Sequence, residues 1–143
     1  KYNANPKNKE KRKKYEADPK NKERKNALRR KWDKERRQSD PLYKLKLNTR
    51  SLISRSITNA GFKKNSKTHK ILNCSFEEFA SHLEKQFQPG MTWDNYGKWH
   101  IDHIKPISSF NINGINSDDF KKCWSLNNLQ PLWAKDNLQK GNK

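Results

Sequence analysis

The chain has 143 residues, about one domain's worth, and only 30% of them are hydrophobic, so any core is small. Its formal charge of +18 and pI near 10.0 point to a polyanion as partner, nucleic acid first, because lysines and arginines that neutralise phosphates release condensed counterions. No run approaches the roughly 20 apolar residues of a membrane span, and the basic segments lack the wide apolar face of an interfacial helix, so an anionic membrane is set aside.

The charge divides the chain. Residues 1 to 50 carry 20 Lys/Arg against 7 Asp/Glu, a net of +13, while residues 51 to 143 carry 13 against 8, a net of +5. This predicts a basic arm over residues 1–40 and a more ordinary domain over residues 41–143. In the arm, YNANPKNKEKRK from Tyr2 is echoed by YEADPKNKERKN from Tyr15, an internal repeat offset by 13 residues. Asn5-Pro6, Asp18-Pro19 and Asp40-Pro41 each set an N-cap before a proline at the first helical position, where its missing N–H costs nothing. Three helix starts follow. The first two helices are polar almost all round and are expected to order along a charged partner. A solvated tail is the alternative, but Tyr2, Tyr15, Trp32 and Tyr43 interrupt the charge and favour contact along duplex DNA. The candidate contacts are Lys11, Arg12, Lys13, Lys22, Arg24, Lys25, Arg29, Arg30, Lys31, Arg36 and Arg37. The third helix, Pro41 to about Asn59, differs: Leu42, Leu45, Leu52, Ile53 and Ile57 form an apolar stripe, with Gly61 as C-cap. It should dock on the domain.

After a polar connector, CSFEEFASHLEKQF offers Ser75 with Glu78 three residues on, a capping box. Phe76, Phe79, Ala80, Leu83 and Phe87 follow at helical spacing, predicting an amphipathic helix of about three turns that stops before Pro89-Gly90. His82 lies off that face and His69 in the connector, and both read as surface residues. Met91 to Ile104 has the aromatic and β-branched residues of strand structure, broken at Asn95-Tyr96-Gly97. Leu129 to Trp133 reads as a short strand and Ala134 to Lys140 as a helix. Trp93, Trp99, Trp124 and Trp133 are the natural core of a domain of this size. Cys74 and Cys123 are far apart and in no CxxC arrangement, which disfavours a disulfide framework or zinc ribbon and suits an intracellular, reducing compartment. No secretory signal is legible, although a start at Lys1 rather than Met leaves room for a removed upstream segment.

Chemistry concentrates in WHIDHIKP, residues 99 to 106. In a strand His100 and Asp102 share a face, while Asp102 and His103 point to opposite faces unless twist or a bulge intervenes. A carboxylate beside an imidazole suits phosphodiester hydrolysis: the carboxylate holds a hard cation and the neutral imidazole takes a proton from water. One carboxylate is too few. Asn137, on the last helix, could supply a second oxygen.

WHIDHIKPISSF, NNLQPLW and KDNLQKGNK, in that order and after GMTWDNYG, together resemble the HNH endonuclease family, and within it the phage-type group that includes homing endonucleases. The resemblance covers about Leu72 to Lys143. It implies an α+β protein: a small ββα-metal (His-Me finger) nuclease domain, its catalytic core about residues 91–143, behind preceding helices and an extended basic helical arm. By that resemblance Asp102 is the first metal ligand, His103 the general base, Asn128 the residue that braces the loop and orients the histidine, and Asn137 a second metal ligand where many members have His. An oxygen ligand there favours Mg²⁺ or Mn²⁺, one ion per site, over Zn²⁺ or Ni²⁺. The cysteine quartet of many HNH proteins is absent, leaving its bracing work to Trp and Phe. His100 is left with two readings, a contact to phosphate or metal-bound water or a loop hydrogen bond. Lys140 likewise reads as a phosphate contact or a solvated charge. The expected activity is nicking of double-stranded DNA by a monomer or dimer, leaving 5′-phosphate and 3′-hydroxyl ends. A DNA-binding protein that keeps the shell without catalysis, and an RNase, are the alternatives.

Overall fold

The computed structural model describes residues 5–141; Tyr2, in the first copy of the repeat, lies outside them, as do the last two residues of KDNLQKGNK. The chain divides into two compact units, one ending at Ser39 and one beginning at Asp40.

The first unit consists of α1 (Pro6–Ala17) and α2 (Pro19–Ser39), neither of which buries a residue. Both begin where an Asx-Pro pair predicts. Asn5 Oδ1 accepts from the amide of Lys7 at 3.0 Å, and Asp18 Oδ1 from that of Lys20 at 2.8 Å, satisfying donors that have no partner within the helix. Asp18 itself is extended and separates the helices. Glu16 on α1 pairs with Arg12 and with Lys25 on α2, at 3.2 Å each, and Arg30 pairs with Glu23 at 2.5 Å. Exposed pairs of this kind are screened by solvent and stabilise the unit little.

The second unit is α+β, mostly helical with one small sheet. It runs α3 (Pro41–Asn59), α4 (Thr68–Leu72), α5 (Phe76–Glu84), β1 (Trp99–His103), α6 (Asp118–Cys123), β2 (Leu129–Trp133) and α7 (Ala134–Lys140). The α3 stripe packs as its spacing predicts: Leu45, Ile53 and Ile57 are fully buried, Leu42 and Leu52 partly so. Asp40 caps its start, accepting from the amide of Tyr43 at 2.8 Å. On α5 the Ser75–Glu78 capping box forms in both directions, and Phe76, Phe79 and Leu83 enter the core. Each fully buried apolar side chain contributes roughly 1.5–3 kcal/mol. The helix stops at Glu84, one turn earlier than predicted, and Phe87 packs from beyond it, its ring 4.9 Å from that of Trp99.

One sequence expectation fails locally, and two short helices go unannounced. Of Met91 to Ile104 only Trp99–His103 is strand. Asn95 holds the preceding residues in a turn by accepting from the amide of Thr92 at 3.0 Å and donating to Gly90 O at 2.7 Å. Such side-chain bonds compete with a strand ladder. The aromatics instead cluster, Trp93 at 5.4 Å and Tyr96 at 4.5 Å from Trp99. The short helices α4 and α6, which the sequence did not announce, add Leu72, Phe120 and Cys123 to the core.

β1 and β2 pair antiparallel, Trp99 opposite Trp133 and His103 opposite Leu129. The bonds Ala134 N to Lys98 O and Ile104 N to Asn128 O, each 2.9 Å, bracket the ladder. They put Ile101–Pro131 at a non-hydrogen-bonded position, so the proline removes no ladder bond.

Candidate functional site

The site is built on β1 and on the two segments that reach back to it. Along the strand Trp99, Ile101, Asp102 and His103 are buried and only His100 is exposed. The alternation breaks at the strand end, so two adjacent polar side chains, Asp102 and His103, are both buried, each 8% exposed.

His103 packs edge-on against Trp124, rings 4.5 Å apart at 85°. Its Nε2 is buried with no hydrogen-bond partner among the described residues. Burial, against the pull of Asp102 and helped by the charge of Lys140, brings the imidazole pKa down to about 4. The ring is therefore neutral near pH 7. A buried polar atom without a partner costs about 1–3 kcal/mol, and Trp124 Nε1 beside it is likewise buried without one among the described residues.

Asn128 locks the loop that follows β1. Its Nδ2 donates to Lys105 O at 3.1 Å and Cys123 O at 2.9 Å, and its Oδ1 accepts from the Lys105 amide at 2.8 Å. With its backbone carbonyl on Ile104 N, this one residue fixes the exit of the strand that carries Asp102 and His103, and it joins that strand to the end of α6.

Asp102 is held by Gln130, its cross-strand neighbour, whose Nε2 donates to Oδ2 at 2.8 Å. The α7 residue that reaches Asp102 is Lys140. Its ammonium sits 2.6 Å from Asp102 Oδ2, 2.5 Å from His103 O and 3.2 Å from Ile104 O. Lys140 is thus neither a solvated charge nor a free phosphate contact; its charge is spent on Asp102 and two carbonyls. Asn137, one turn earlier, instead makes its side-chain hydrogen bond with His100, Nδ2 to Nδ1 over 3.4 Å. Both residues line a groove of about 350 Å³ beside α3, with Asn48, Ser51 and Arg55.

No group of three or more His, Cys, Asp or Glu side chains gathers among the described residues. For a hard divalent ion the test is different, since Mg²⁺ commonly takes one or two carboxylates and completes its shell with water and phosphate oxygens. Three oxygens already converge on the Lys140 ammonium, one of them a buried carboxylate. That donor set fits such an ion, with the ammonium as its stand-in.

The arm residues named from the sequence, Lys11 to Arg37, are all exposed. Several are not free: besides the pairs on Glu16 and Glu23, Arg29 bonds Asn26 at 3.4 Å and Arg36 lies 5.1 Å over the Trp32 ring. The sequence reading missed Gln130 and the true partner of Lys140, and it placed Trp124 in the core, where it is buried, without its contact to His103. It also set His82 on the surface, whereas the half-buried His82 ring lies 3.2 Å from Leu129 O and 2.8 Å from Gln86 Nε2, propping the start of β2. None of these pairings had a signal in the sequence, because the register of β1 on β2 is set across the long connection that carries α6. No helix of the described residues is long and apolar enough to cross a membrane.

Two uncharacterized proteins of Acanthamoeba polyphaga mimivirus are similar to this chain. One is 32% identical over 106 residues, 73% of this chain and 45% of that protein; the other is 30% identical over 112 residues, 78% and 48% respectively. The chain thus spans about half the length of the curated relatives it matches. No family model matches it, and no solved structure does.

Proposed function

We propose that this protein is a metal-dependent DNA endonuclease of the HNH type, with β1, β2 and α7 as its ββα-metal element and a Mg²⁺ or Mn²⁺ ion held at Asp102. The observation that carries this is the buried, unpartnered Nε2 of a neutral His103 next to Asp102. Asp102 Oδ2 and the carbonyls of His103 and Ile104 would hold the ion, after Lys140 withdraws. When bound, the ion supplies positive charge against the scissile phosphate as the 3′-oxygen leaves.

The chain's own residues do the rest. His103 Nε2 removes a proton from the attacking water, a contribution of about 10²–10⁴-fold. The Asp102 carboxylate stabilises the imidazolium that forms. Trp124 packs edge-on against the imidazole and Asn128 fixes the exit of its strand, so the ring is already oriented once Lys140 withdraws and water reaches the buried Nε2. Water oxygen bonds to phosphorus and the P–O3′ bond breaks; the 3′-oxygen takes a proton from solvent, leaving a 5′-phosphate and a 3′-hydroxyl. A single site per chain nicks one strand at a time. The basic arm adds sequence-independent affinity.

End chemistry tests this. Circles nicked by the protein are expected to be resealed by an ATP-dependent DNA ligase; circles that resist sealing would contradict the assigned attack.

The Lys140–Asp102 contact favours a second reading, a DNA-binding protein in which the lysine permanently takes the place of the ion. Such a protein would retard DNA equally with and without divalent metal and leave the backbone whole.

A further inference from the structure

A second groove, of about 940 Å³, runs along another flank of α3. One wall is a stripe of that helix, including Lys46 and Arg50; the other is the connector ahead of α4, including Lys64 and Lys67. No Asp or Glu lines it. None of these four cations has a carboxylate partner among the described residues. Lys46 Nζ lies 5.0 Å over the Phe76 ring, and Lys64 Nζ donates to Ser66 O at 2.5 Å. Burial, and next the charge of Arg50, lower the pKa of Lys64, as expected of cations gathered without a counter-ion.

This stripe is separate from the one that faces His100. At 100° per residue, Lys46, Arg50 and Ser54 lie roughly 130° around α3 from Asn48, Ser51 and Arg55. From Lys46 to Arg50 the helix rises roughly 6 Å, and a DNA strand advances about 3.4 Å along the duplex axis per phosphate. Two cations on the helix wall and two on the facing connector match a repeating anion, where a lone phosphorylated small molecule would engage only one or two of them. We propose that this groove is a second nucleic-acid contact, taking three or four consecutive backbone phosphates of duplex DNA through Lys46, Arg50, Lys64 and Lys67. It rests on the proposal that the chain acts on DNA. It puts a substrate contact on the folded domain itself, independent of the arm.

The test is the salt dependence of full-chain binding to a fluorescein-labelled 30-base-pair duplex, read by anisotropy in EDTA so that nothing is cut. Changing Lys46, Arg50, Lys64 and Lys67 together to Gln should make the log K against log salt slope shallower by about 3, from about 0.9 per phosphate. A matched variant with Lys85, Lys98, Lys122 and Lys135 changed to Gln should move it by less than about 1. Thermal melting should leave the groove variant about as stable as the parent, since relief of repulsion offsets the lost Lys46–Phe76 and Lys64–Ser66 contacts. An unchanged slope, or equal loss in the two variants, overturns the groove. As a second measurement, acetylation of Lys64 and Lys67, mapped by mass spectrometry on the unaltered chain, should fall when duplex is added; undiminished labelling would overturn it independently. If the groove variant loses its slope while the parent never nicks plasmid, the groove stands and the nuclease proposal fails. If the parent nicks and the slope is unchanged, the reverse holds.

Discussion

Replacing Lys140 with Met probes the cation position directly. The Lys140 and Asp102 side chains are only 21% and 9% exposed, with 2.6 Å between charged atoms, so the pair is well shielded from solvent screening. A charge-assisted hydrogen bond of this kind contributes about 1.5–3 kcal/mol. An entering divalent ion has to displace it. With about 2 kcal/mol of competition removed, Lys140→Met should bind Mn²⁺ roughly thirtyfold more tightly than the parent. Electron paramagnetic resonance of free Mn²⁺ reads this without any turnover, and Asp102→Asn should abolish the binding in either background. Without metal the same variant leaves Asp102 with Gln130 alone and should lose about 3 kcal/mol of stability, which saturating Mn²⁺ should restore. Equal or weaker Mn²⁺ binding by Lys140→Met would refute the idea that the ammonium and the ion share one site.

Three further outcomes are expected. Asn128→Ala removes three side-chain hydrogen bonds and strands the carbonyl of Cys123, so it should cost about 2–4 kcal/mol in denaturant unfolding; a loss under 1 kcal/mol would mean the loop is braced elsewhere. In EDTA, stability should depend on pH through His103. Its folded pKa of about 4 lies below the unfolded 6.5, so the unfolded chain binds the extra proton between these values. The contribution, up to about 3 kcal/mol, is complete above about 6.5 and lost as pH falls towards 4, and His103→Gln should flatten that limb. Deleting residues 1–39 should weaken duplex binding and make its salt slope shallower, while leaving thermal melting of the second unit in place; an unchanged slope would remove the arm from the interface.

Much of this was legible in the chain because the signals are local. Asn5, Asp18 and Asp40 cap helices before proline, the α3 leucines and isoleucines bury at their predicted spacing, and Leu129–Trp133 is a strand. The polar site was legible only as a list of residue types. The bonds Gln130–Asp102 and Lys140–Asp102 join residues 28 and 38 apart in sequence, and their geometry depends on the register of β1 on β2 and on the angle at which α7 returns. His103 became buried because Trp124, delivered by the unannounced α6, closes over it. The Met91–Lys98 segment misled because tryptophan and tyrosine, favoured in strands, serve here as packing groups around Trp99.

The most direct test of the central claim is relaxation of supercoiled plasmid by the parent chain in Mg²⁺, by the parent in EDTA, and by His103→Ala in Mg²⁺. Open circles only in the first, with DNA retardation kept in all three, is the predicted result. Intact supercoiled plasmid, merely retarded in every lane, would contradict it and leave a DNA-binding protein with Lys140 fixed on Asp102.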